Sequence, residues 1–502
     1  MLIYNLSFTN NAPMLRPDRK EFERLAQSAT LVPVVKTVTA DLQTPVSAFL
    51  SLADGEKHAF LLESVEGGEK VGRYTFLGIR PYMVVSSSDD KIVIDRGRKR
   101  ERRQGDIFDF TAKLLKDHQP AKLPDLPPFT CGAVGFFSYD AVRRIEKIPN
   151  TAKIDLKIPD CMLMFFGRVL AFDHVRKQIY IIATANVRDE KPQQAYARAV
   201  RDIALLEKRL TAGFRTQKKV SNRKPVKPKQ GTSRAHFMNG VEQIKEYIRA
   251  GDAFQVVYSQ RLELEPGVAP FEIYRALRMV NPSPYLYYLR MEDKHVLGSS
   301  PEMLVRITGR KLEYRPIAGT LPRGRDEQED QRLEERLRSD EKERAEHVML
   351  VDLGRNDIGR VSDYGSVKVT DFMFVERYSH VMHLVSAIEG RLRPELQAID
   401  AFRACFPAGT LTGAPKVRAM EIIEELEPVR RGLYGGSVLY ADFAGNLDSC
   451  IAIRTLLMNK KKAYLQAGAG IVADSVPESE YQESLNKAEA LVKAIEIARR
   501  GL

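Results

Sequence analysis

Cysteine is scarce in this chain of 502 residues, which has four cysteines and no CxxC pair. Cys131, Cys161, Cys405 and Cys450 lie far apart, in apolar stretches such as "DCMLMFF" and "DSCIAI". Such spacing gives no disulfide framework. We therefore expect free thiols, packed as small apolar residues in a reducing compartment.

Long apolar runs are also missing, since no stretch approaches the roughly 20 residues that span a bilayer. The N-terminal residues lack the basic start, apolar block and cleavage-like site of an export signal. We therefore expect a cytoplasmic protein that does not enter a membrane. The eight histidines include no HExxH motif, so a zincin-type zinc site is unsupported.

The chain has a net charge of +12, but most of it is confined to two short segments. Residues 215–230 hold seven basic and no acidic residues, and residues 95–106 hold six basic and three acidic ones, which leaves +2 elsewhere. A duplex-binding protein spreads its positive charge over a structured face and carries a recognisable motif. No helix-turn-helix, zinc-finger or RNP pattern is present, so we expect no nucleic-acid partner.

The length predicts two or three domains. Residues 215–233 are basic, contain proline and have few large apolar side chains, which predicts a linker or exposed loop between residues 1–214 and 234–502. Strand-like stretches such as "HAFLLESV", "YTFLGI" and "YMVVSS" occur in runs rather than in strict alternation with helices. This order favours an α+β fold over a doubly wound parallel sheet.

The stretch "AGAGIVADSVPESEYQESLNKAEALVKAI" predicts a glycine-rich loop followed by a helix. Glu480, Glu483 and Lys487 fall on the side of that helix opposite its apolar stripe. They are either a solvated surface with one ion pair or carboxylates that face a cation held near the loop. Gly468 and Gly470 would let an anion approach the backbone.

A second acidic residue, Glu346, lies where the charged helix "DQRLEERLRSDEKERAEHVMLVDLGRNDIGR" becomes apolar. Carboxylates from distant segments, completed by water, suit Mg²⁺, which prefers oxygen ligands and often binds together with its substrate. Most glutamates on charged helices are only solvated.

Arg454 lies inside the apolar run "IAIRTLL". It is either on an outer strand face or a buried partner for a carboxylate.

Seven motifs follow one another along the chain: "PIAGT", "ERAEHVMLVDLGRNDIGR", "VMHLVSAIEG", "FPAGTLTGAPKVRAME", "LYGGSVLY", "CIAIRTLLM" and "AGAGIVADSVPESEYQE". Together they resemble those of the chorismate-utilising enzymes, and among them the anthranilate synthases. The resemblance covers essentially the whole chain. It implies an α+β fold with largely antiparallel sheets in a β-sandwich-like core covered by helices.

The resemblance also implies a site. It assigns Mg²⁺ to Glu346 and Glu483, with Glu480 nearby. It makes Glu302 the acid that assists departure of a ring hydroxyl and His383 the histidine beside the ring. The implied contacts to chorismate are Gly319, Thr320, Thr410, Tyr434, Arg454, Gly468, Ala469, Gly470 and Lys487.

Two positions distinguish branches of the family. The water-adding relatives, isochorismate and salicylate synthases, carry a lysine base where this chain has Gln255, and its absence fits ammonia as the nucleophile. Many aminodeoxychorismate synthases have lysine where this chain has Ala318. We therefore expect amination of chorismate to anthranilate with release of pyruvate, with aminodeoxychorismate synthesis as the alternative and a catalytically inactive amino-acid sensor as a further one.

The resemblance further implies feedback inhibition by tryptophan, the end product of the pathway that anthranilate begins. The matching elements are Glu63, Ser64, Asn281, Pro282, Ser283, Pro284, Tyr285 and Leu286. Without the resemblance, a strand end and a proline-rich turn are the preferred explanation of these residues. No glutamine amidotransferase motif is present, so we expect ammonia to come from a separate glutamine amidotransferase subunit, anthranilate synthase component II.

Overall fold

The structure is a computed structural model, and it describes residues 15–64, 72–214, 225–377 and 381–502, with the side chain of Thr320 excepted. In these residues there are eleven α-helices, and none is long and apolar enough to cross a bilayer. The helices are α1 Arg19–Leu25, α2 Pro45–Leu52, α3 Ile107–Lys116, α4 Pro192–Thr211, α5 Arg234–Arg249, α6 Pro270–Val280, α7 Glu327–Ser339, α8 Glu341–Gly359, α9 Ala398–Cys405, α10 Lys416–Leu426 and α11 Pro477–Arg500.

The strands of the same residues are distributed over the whole chain. They are β1 Leu15–Arg16, β2 Leu31–Thr39, β3 His58–Glu63, β4 Tyr74–Ile79, β5 Met83–Ser88, β6 Lys91–Asp95, β7 Arg100–Gln104, β8 Gly132–Phe137, β9 Cys161–Phe166, β10 Arg168–Asp173, β11 Gln178–Asn186, β12 Lys229–Gln230, β13 Gln255–Leu264, β14 Tyr285–Met291, β15 Lys294–Ser300, β16 Met303–Thr308, β17 Lys311–Tyr314, β18 Ile317–Pro322, β19 Lys368–Arg377, β20 Val381–Arg391, β21 Gly413–Ala414, β22 Ser437–Asp442, β23 Leu447–Ile451, β24 Thr455–Asn459 and β25 Lys462–Ile471. Short 3-10 turns occupy Tyr139–Arg144 and Gly409–Leu411.

The strands form two large sheets. The first has the order β1-β2-β11-β10-β4-β3-β14-β15-β24-β25-β13-β12, with β21 also paired to β13. The second has the order β18-β20-β17-β16-β23-β22-β8-β9-β5-β6-β7, with β19 also paired to β20. Every pairing between these strands is antiparallel, as in β3 with β14 and β13 with β25. The predicted α+β fold with antiparallel sheets is confirmed.

Apolar side chains fill three layers. Residues of both sheets, including Phe60, Val134 and Tyr287, pack against one another between the sheets. A second cluster packs the outer face of the first sheet against α2, α4, α6 and α11, and a third packs the second sheet against α3, α8 and α9. The period-two pattern of "KIVID" explains one case, because Ile92 and Ile94 are buried while their neighbours are not.

Both sheets take strands from either side of residues 215–233, so neither sheet is divided there. The boundary between residues 1–214 and 234–502 stays a prediction. Residues 215–224 lie outside the described residues. The four cysteines are free and buried, as the sequence predicted.

Replacing Phe60 with alanine should lower the free energy of unfolding by about 3–5 kcal/mol, because the ring fills space between the sheets. The ring lies 4.7 Å from that of Phe166, centroid to centroid. Phe254, 74% exposed, is the matched control. Its replacement with alanine should change stability by less than about 0.5 kcal/mol. Urea unfolding followed by circular dichroism measures both; equal shifts of the two midpoints would contradict the placement of Phe60.

Candidate active site

Glu302 occupies the connection between β15 and β16, where it is buried. Thr410, in the 3-10 turn Gly409–Leu411, donates a hydrogen bond from Oγ1 to Glu302 Oε1 at 2.8 Å. Burial raises the pKa of Glu302 to about 7, against the opposing effects of Thr410, Arg454 and Lys487. A carboxyl group with this pKa carries a proton for transfer near neutral pH.

His383 lies on β20, and its ring is buried. Its Nδ1 is 3.1 Å from the carbonyl oxygen of Gly319, which can only accept a hydrogen bond, so Nδ1 carries the proton. Burial lowers the pKa of His383, although the Gly319 carbonyl opposes this effect. The imidazole is therefore neutral at pH 7, with its lone pair on Nε2.

Gly319 is required by its backbone conformation. It has φ of +58°, and the register of β18 with β20 shifts between Ala318 and Thr320. A Cβ at this position would lie 2.8 Å from Leu337 Cδ1 and 3.0 Å from Glu343 Oε2. The irregular strand thus turns the Gly319 carbonyl towards His383 and leaves room for Glu343. Thr320 continues β18, and its side chain lies outside the described residues.

Carboxylates of α8 and α11 converge at the same place. The pKa of Glu343 is raised by burial and by the nearby charges of Glu346 and Glu483, and the pKa of Glu480 is raised by burial and by Glu483. Gln255 Nε2 donates to Glu346 Oε1 at 3.5 Å. Glu346 and Glu483, far apart in sequence, therefore belong to one cluster of mutually repelling acids.

This donor set fits a hard divalent cation, because oxygen ligands that repel one another are stabilised by a positive ion between them. The described residues do not form a complete cage: among them, no group of three or more His, Cys, Asp or Glu side chains is placed to hold a metal ion. A cation here would need water or substrate oxygens to complete its coordination. Glu343 was not predicted from the sequence as a member of this acidic cluster, although it lies one helical turn before Glu346.

The predicted glycine-rich loop at residues 468–470 is wrong, since Gly468, Ala469 and Gly470 belong to β25. They pair with Ser259, Tyr258 and Val257 of β13. The glycines are needed for close approach, because a Cβ would lie 2.3 Å from Tyr258 O at Gly468 and 2.3 Å from Gln255 Nε2 at Gly470.

Lys487 of α11 connects this strand to the acidic cluster. Its Nζ donates to the carbonyl oxygen of Gly468 at 3.1 Å and pairs with Glu483 Oε1 at 2.6 Å. Both side chains are about half exposed, at 50% and 48%. The ion pair therefore contributes little to stability. What it does is hold the charged end of Lys487 beside Gly468 of β25.

Arg454 does not lie within a strand, as the apolar run had suggested, but in the turn between β23 and β24 with φ of +48°. It is half buried. Its Nη1 donates to Asn281 Oδ1 at 3.3 Å, and its charge lowers the pKa of both Glu302 and His383. Of the two interpretations of Arg454, the outer strand face is excluded by this position.

Tyr434 is buried in the segment between α10 and β22. Its ring lies 5.5 Å from the guanidinium of Arg431, which in turn donates to the carbonyl oxygen of Leu411. Tyr434 is thus linked to the turn that carries Thr410. Hydrogen bonds and ion pairs link some of the predicted site residues, and electrostatic effects link Arg454 to Glu302 and His383 and Glu480 to Glu483. The side chain of Thr320 is outside the described residues, and Ala469 is part of β25.

Comparison with known proteins decides the family. Residues 57–493 match the family model described as chorismate binding enzyme. The chain belongs to this family. It is 48% identical over 492 residues to anthranilate synthase component 1 of Acetivibrio thermocellus, covering 97% of this chain and 99% of that protein. It is 45% identical over 509 residues to the protein of the same name from Pseudomonas aeruginosa, covering 97% and 100%.

Solved structures agree with the chorismate-binding family. Anthranilate synthase component I from Streptococcus pneumoniae TIGR4 is 36% identical, with a TM-score of 0.76 over 91% of this chain and 99% of that one. The menaquinone-specific isochorismate synthase of Escherichia coli is 19% identical, with a TM-score of 0.69 over 95% and 98%, and shares the fold. This chain is therefore an enzyme of the chorismate-utilising family.

This chorismate-binding enzyme also has a cavity of about 580 Å³ between the two sheets. Five residues of the predicted tryptophan elements line it: Glu63, Ser64, Pro284, Tyr285 and Leu286. Asn281, Pro282 and Ser283 are not among the lining residues, and Asn281 instead contacts Arg454. The first five residues therefore line one cavity, and Asn281 links the neighbouring segment to Arg454 of the candidate site.

The cavity wall is partly charged. Glu63 is buried and pairs with Arg278, whose Nε is 2.8 Å from Glu63 Oε2, and it accepts a hydrogen bond from the Tyr274 hydroxyl. The Ser64 hydroxyl is buried without a hydrogen-bond partner among the described residues. A polar ligand group would satisfy it.

Replacing Gly319 with alanine should destabilise the protein more than replacing Gly309, because both have positive φ but only Gly319 has close neighbours. Gly309 has φ of +61°, and a Cβ added there would have nothing within 4 Å, so it isolates the backbone cost. That cost is about 1 kcal/mol. Thermal unfolding of the two variants measures the difference; a Gly309→Ala loss as large as that of Gly319→Ala would contradict the packing described.

Proposed function

We propose that the chain converts chorismate and ammonia to anthranilate, pyruvate and water. The observation that carries this proposal is the buried Glu302, with a pKa of about 7, held by Thr410 beside Arg454 and Lys487. A carboxyl group that keeps its proton up to about pH 7, within the electrostatic influence of two cations, suits an anionic substrate that must lose a hydroxyl group. The names of the relatives support the same reaction.

Substrate binding follows from charge. Chorismate carries two carboxylates, and Arg454 would neutralise one of them. Glu346 and Glu483 would hold Mg²⁺, with Glu480 acting through water. Mg²⁺ bound there would neutralise and orient the other carboxylate. Lys487, with its Nζ between Glu483 and Gly468, would add a further positive charge beside that group.

The proton transfers follow from the protonated form of Glu302 and the neutral form of His383. Ammonia attacks C2 of the ring while Glu302 donates its proton to the hydroxyl that departs from C4 as water. The neutral His383 ring then has a lone pair on Nε2 for the proton lost from C2 as the C3–O bond to the enolpyruvyl side chain breaks. The enolpyruvate that leaves takes up a proton at its methylene carbon and becomes pyruvate. The ring becomes aromatic at that step.

Ammonia delivery by a partner glutamine amidotransferase subunit is supported by the cysteines. Cys131, Cys161, Cys405 and Cys450 are all buried, and burial raises the pKa of each thiol. Inert thiols of this kind are poor nucleophiles for glutamine hydrolysis. With free ammonium salts, we expect the chain to work alone.

Incubation with chorismate, ammonium and Mg²⁺ should give the fluorescence of anthranilate, and EDTA should abolish it. Glu302→Gln should lower kcat about 10²–10⁴-fold, because the amide cannot release a proton. Since Glu302 acts when protonated, wild-type kcat/KM should fall as the pH rises through about 7, and this limb should vanish in the variant.

Glu335→Gln, an exposed position on α7, is the matched control and should keep wild-type activity. Conversion of chorismate to a non-aromatic amino product, without anthranilate fluorescence, would instead assign the aminodeoxychorismate reaction. Full activity of Glu302→Gln would contradict the role of this acid.

We further propose that tryptophan binds in the 580 Å³ cavity and inhibits the enzyme. The size lies within the usual range for small ligands. The rings of Tyr74, Phe76 and Tyr440 offer an apolar wall for an indole, and Glu63 and Ser64 offer polar partners. The segment that leads from Tyr285 back to Asn281 then ends on Arg454, so a shift of this segment would move a substrate-binding group.

Ser64→Arg should remove the thermal stabilisation that tryptophan gives to the wild-type enzyme, since the larger side chain would fill the cavity. Tryptophan at 100 times its dissociation constant should stabilise wild type by about 2.7 kcal/mol. Ser28→Arg, at an exposed turn outside the cavity, should keep the response. An unchanged response in Ser64→Arg would count against this site.

A further inference from the structure

A buried ion pair lies behind the turn that carries Thr410. Arg431 and Glu427 have side chains that are 1% and 3% exposed, with Arg431 Nη2 2.7 Å from Glu427 Oε1 and Nε 3.0 Å from Oε2. The guanidinium lies 4.8 Å from the ring of Tyr139 and 5.5 Å from that of Tyr434. This geometry is the two-point, fork-shaped pairing that arginine makes with carboxylates.

Arg431 has further contacts that reach the site directly. Its Nη1 donates to the carbonyl oxygen of Leu411 at 2.6 Å, and its Nη2 donates to that of Val257 at 2.7 Å. Leu411 is the neighbour of Thr410, and Val257 is the β13 partner of Gly470. One guanidinium therefore joins the 3-10 turn to the strand that supports the glycines of β25.

Glu427 is fixed from its other side. Its Oε1 accepts hydrogen bonds from Ser259 N at 3.0 Å and from Ser259 Oγ at 2.7 Å. Gln466 Nε2 in turn donates to Ser259 Oγ at 2.8 Å. Lysine could replace the charge of Arg431 but not its planar fork, so it could not hold Glu427, Leu411 and Val257 together.

Buried ion pairs often stabilise a fold no more than apolar side chains of similar volume do, so stability alone does not account for this one. We infer that Arg431, held by Glu427, is a positioning residue that fixes the 3-10 turn so that the Thr410 hydroxyl is presented to Glu302. The inference rests on the proposed amination of chorismate for its kinetic consequences. Its structural consequence, the placement of Thr410 against Glu302, is measurable without turnover.

The expected consequence concerns the protonation of Glu302. Thr410 lowers the pKa of Glu302, so releasing the turn should raise it. The other groups that act on Glu302 are Arg454 and Lys487, and the Tyr314 hydroxyl is close enough to feel its charge. Among the described residues, none of these three is hydrogen-bonded to Arg431, so they should act equally before and after the change.

Arg431→Lys is the first test. We expect kcat to fall about tenfold or more, with KM changing less, because the hydrogen bond to the acid is weakened. The high-pH limb of the rate should move to higher pH. Arg143→Gln is the matched control, because Arg143 forms a buried ion pair with Glu424, at 2.6 Å and with side chains 10% and 5% exposed, and the hydrogen bonds of this pair go to Pro149, Thr151 and Ala152 rather than to the turn. Arg143→Gln should lower thermal stability without moving the high-pH limb of the rate.

Infrared difference spectroscopy provides a readout that does not depend on activity. The carboxyl band of Glu302, assigned by its loss in Glu302→Gln, should titrate at higher pH in Arg431→Lys and in Thr410→Val, but not in Arg143→Gln. If the Glu302 band titrates at higher pH in Arg431→Lys but the wild type makes no anthranilate, the proposed function is overturned and the positioning role stays supported. An active wild type whose Glu302 titration is unmoved by Arg431→Lys would overturn the positioning role alone.

The double variant Arg431→Lys/Thr410→Val tests whether the two residues act through one route. If they do, the kcat of the double variant should match that of the less active single variant. If the two roles are independent, the two fold-losses in kcat should multiply. Should Arg431→Lys fail to fold, Arg431→Gln/Glu427→Gln removes both charges and replaces it. Thr410→Val is nearly isosteric and should keep the fold. If it leaves the titration of Glu302 unchanged, the inference is overturned without any variant of Arg431.

Discussion

The close pairing of β13 with β25 is the constraint on which the site depends. Glycines at 468 and 470 let the two strands approach, and a side chain at either place would collide with Tyr258 O or the Gln255 amide. Gln255 is in turn the residue that contacts Glu346 of α8, while α11 follows β25 along the chain. Two helices that are distant in sequence thereby bring their carboxylates together, where burial and then mutual repulsion raise the pKa of Glu343.

Burial produces the chemistry of the two central groups by acting on them in opposite directions. It raises the pKa of Glu302 to about 7 and lowers that of His383, so at pH 7 about half of the Glu302 groups keep their proton while His383 is neutral. A neutral carboxyl group is a proton donor and a neutral imidazole is a proton acceptor. One apolar environment thus provides an acid and a base together, while the cations Arg454 and Lys487 keep the pKa of Glu302 from rising further.

Much of this arrangement can be predicted from the sequence, and the failures have local causes. The runs of strands predict an α+β fold, and Glu346 stands out where a charged helix turns apolar. Residues 468–470 resemble a loop because glycine is rare inside strands, although close strand approach also selects it. The turn at Arg454 has a positive φ that its apolar neighbours conceal. Glu343 resembles any other glutamate on a charged helix until a distant segment packs beside it.

The basic segment 95–106, for which the sequence alone offers no explanation, is in part the β6–β7 hairpin at the edge of the second sheet. Glu101 there pairs with Arg96, Lys99 and Arg103. Charged side chains on an edge strand disfavour pairing with strands of other molecules. The hairpin therefore has a structural explanation that involves no nucleic acid.

The interleaving of the sheets has a consequence for synthesis on the ribosome. β3, residues 58–63, pairs with β14, residues 285–291. At about 5–20 residues per second, the later strand emerges roughly ten to forty-five seconds after the earlier one. During that interval the edge of β3 that will receive β14 is open to other nascent chains. Chaperone binding to the emerging N-terminal strands would thus bear on the yield of native enzyme, independently of how stable the finished protein is.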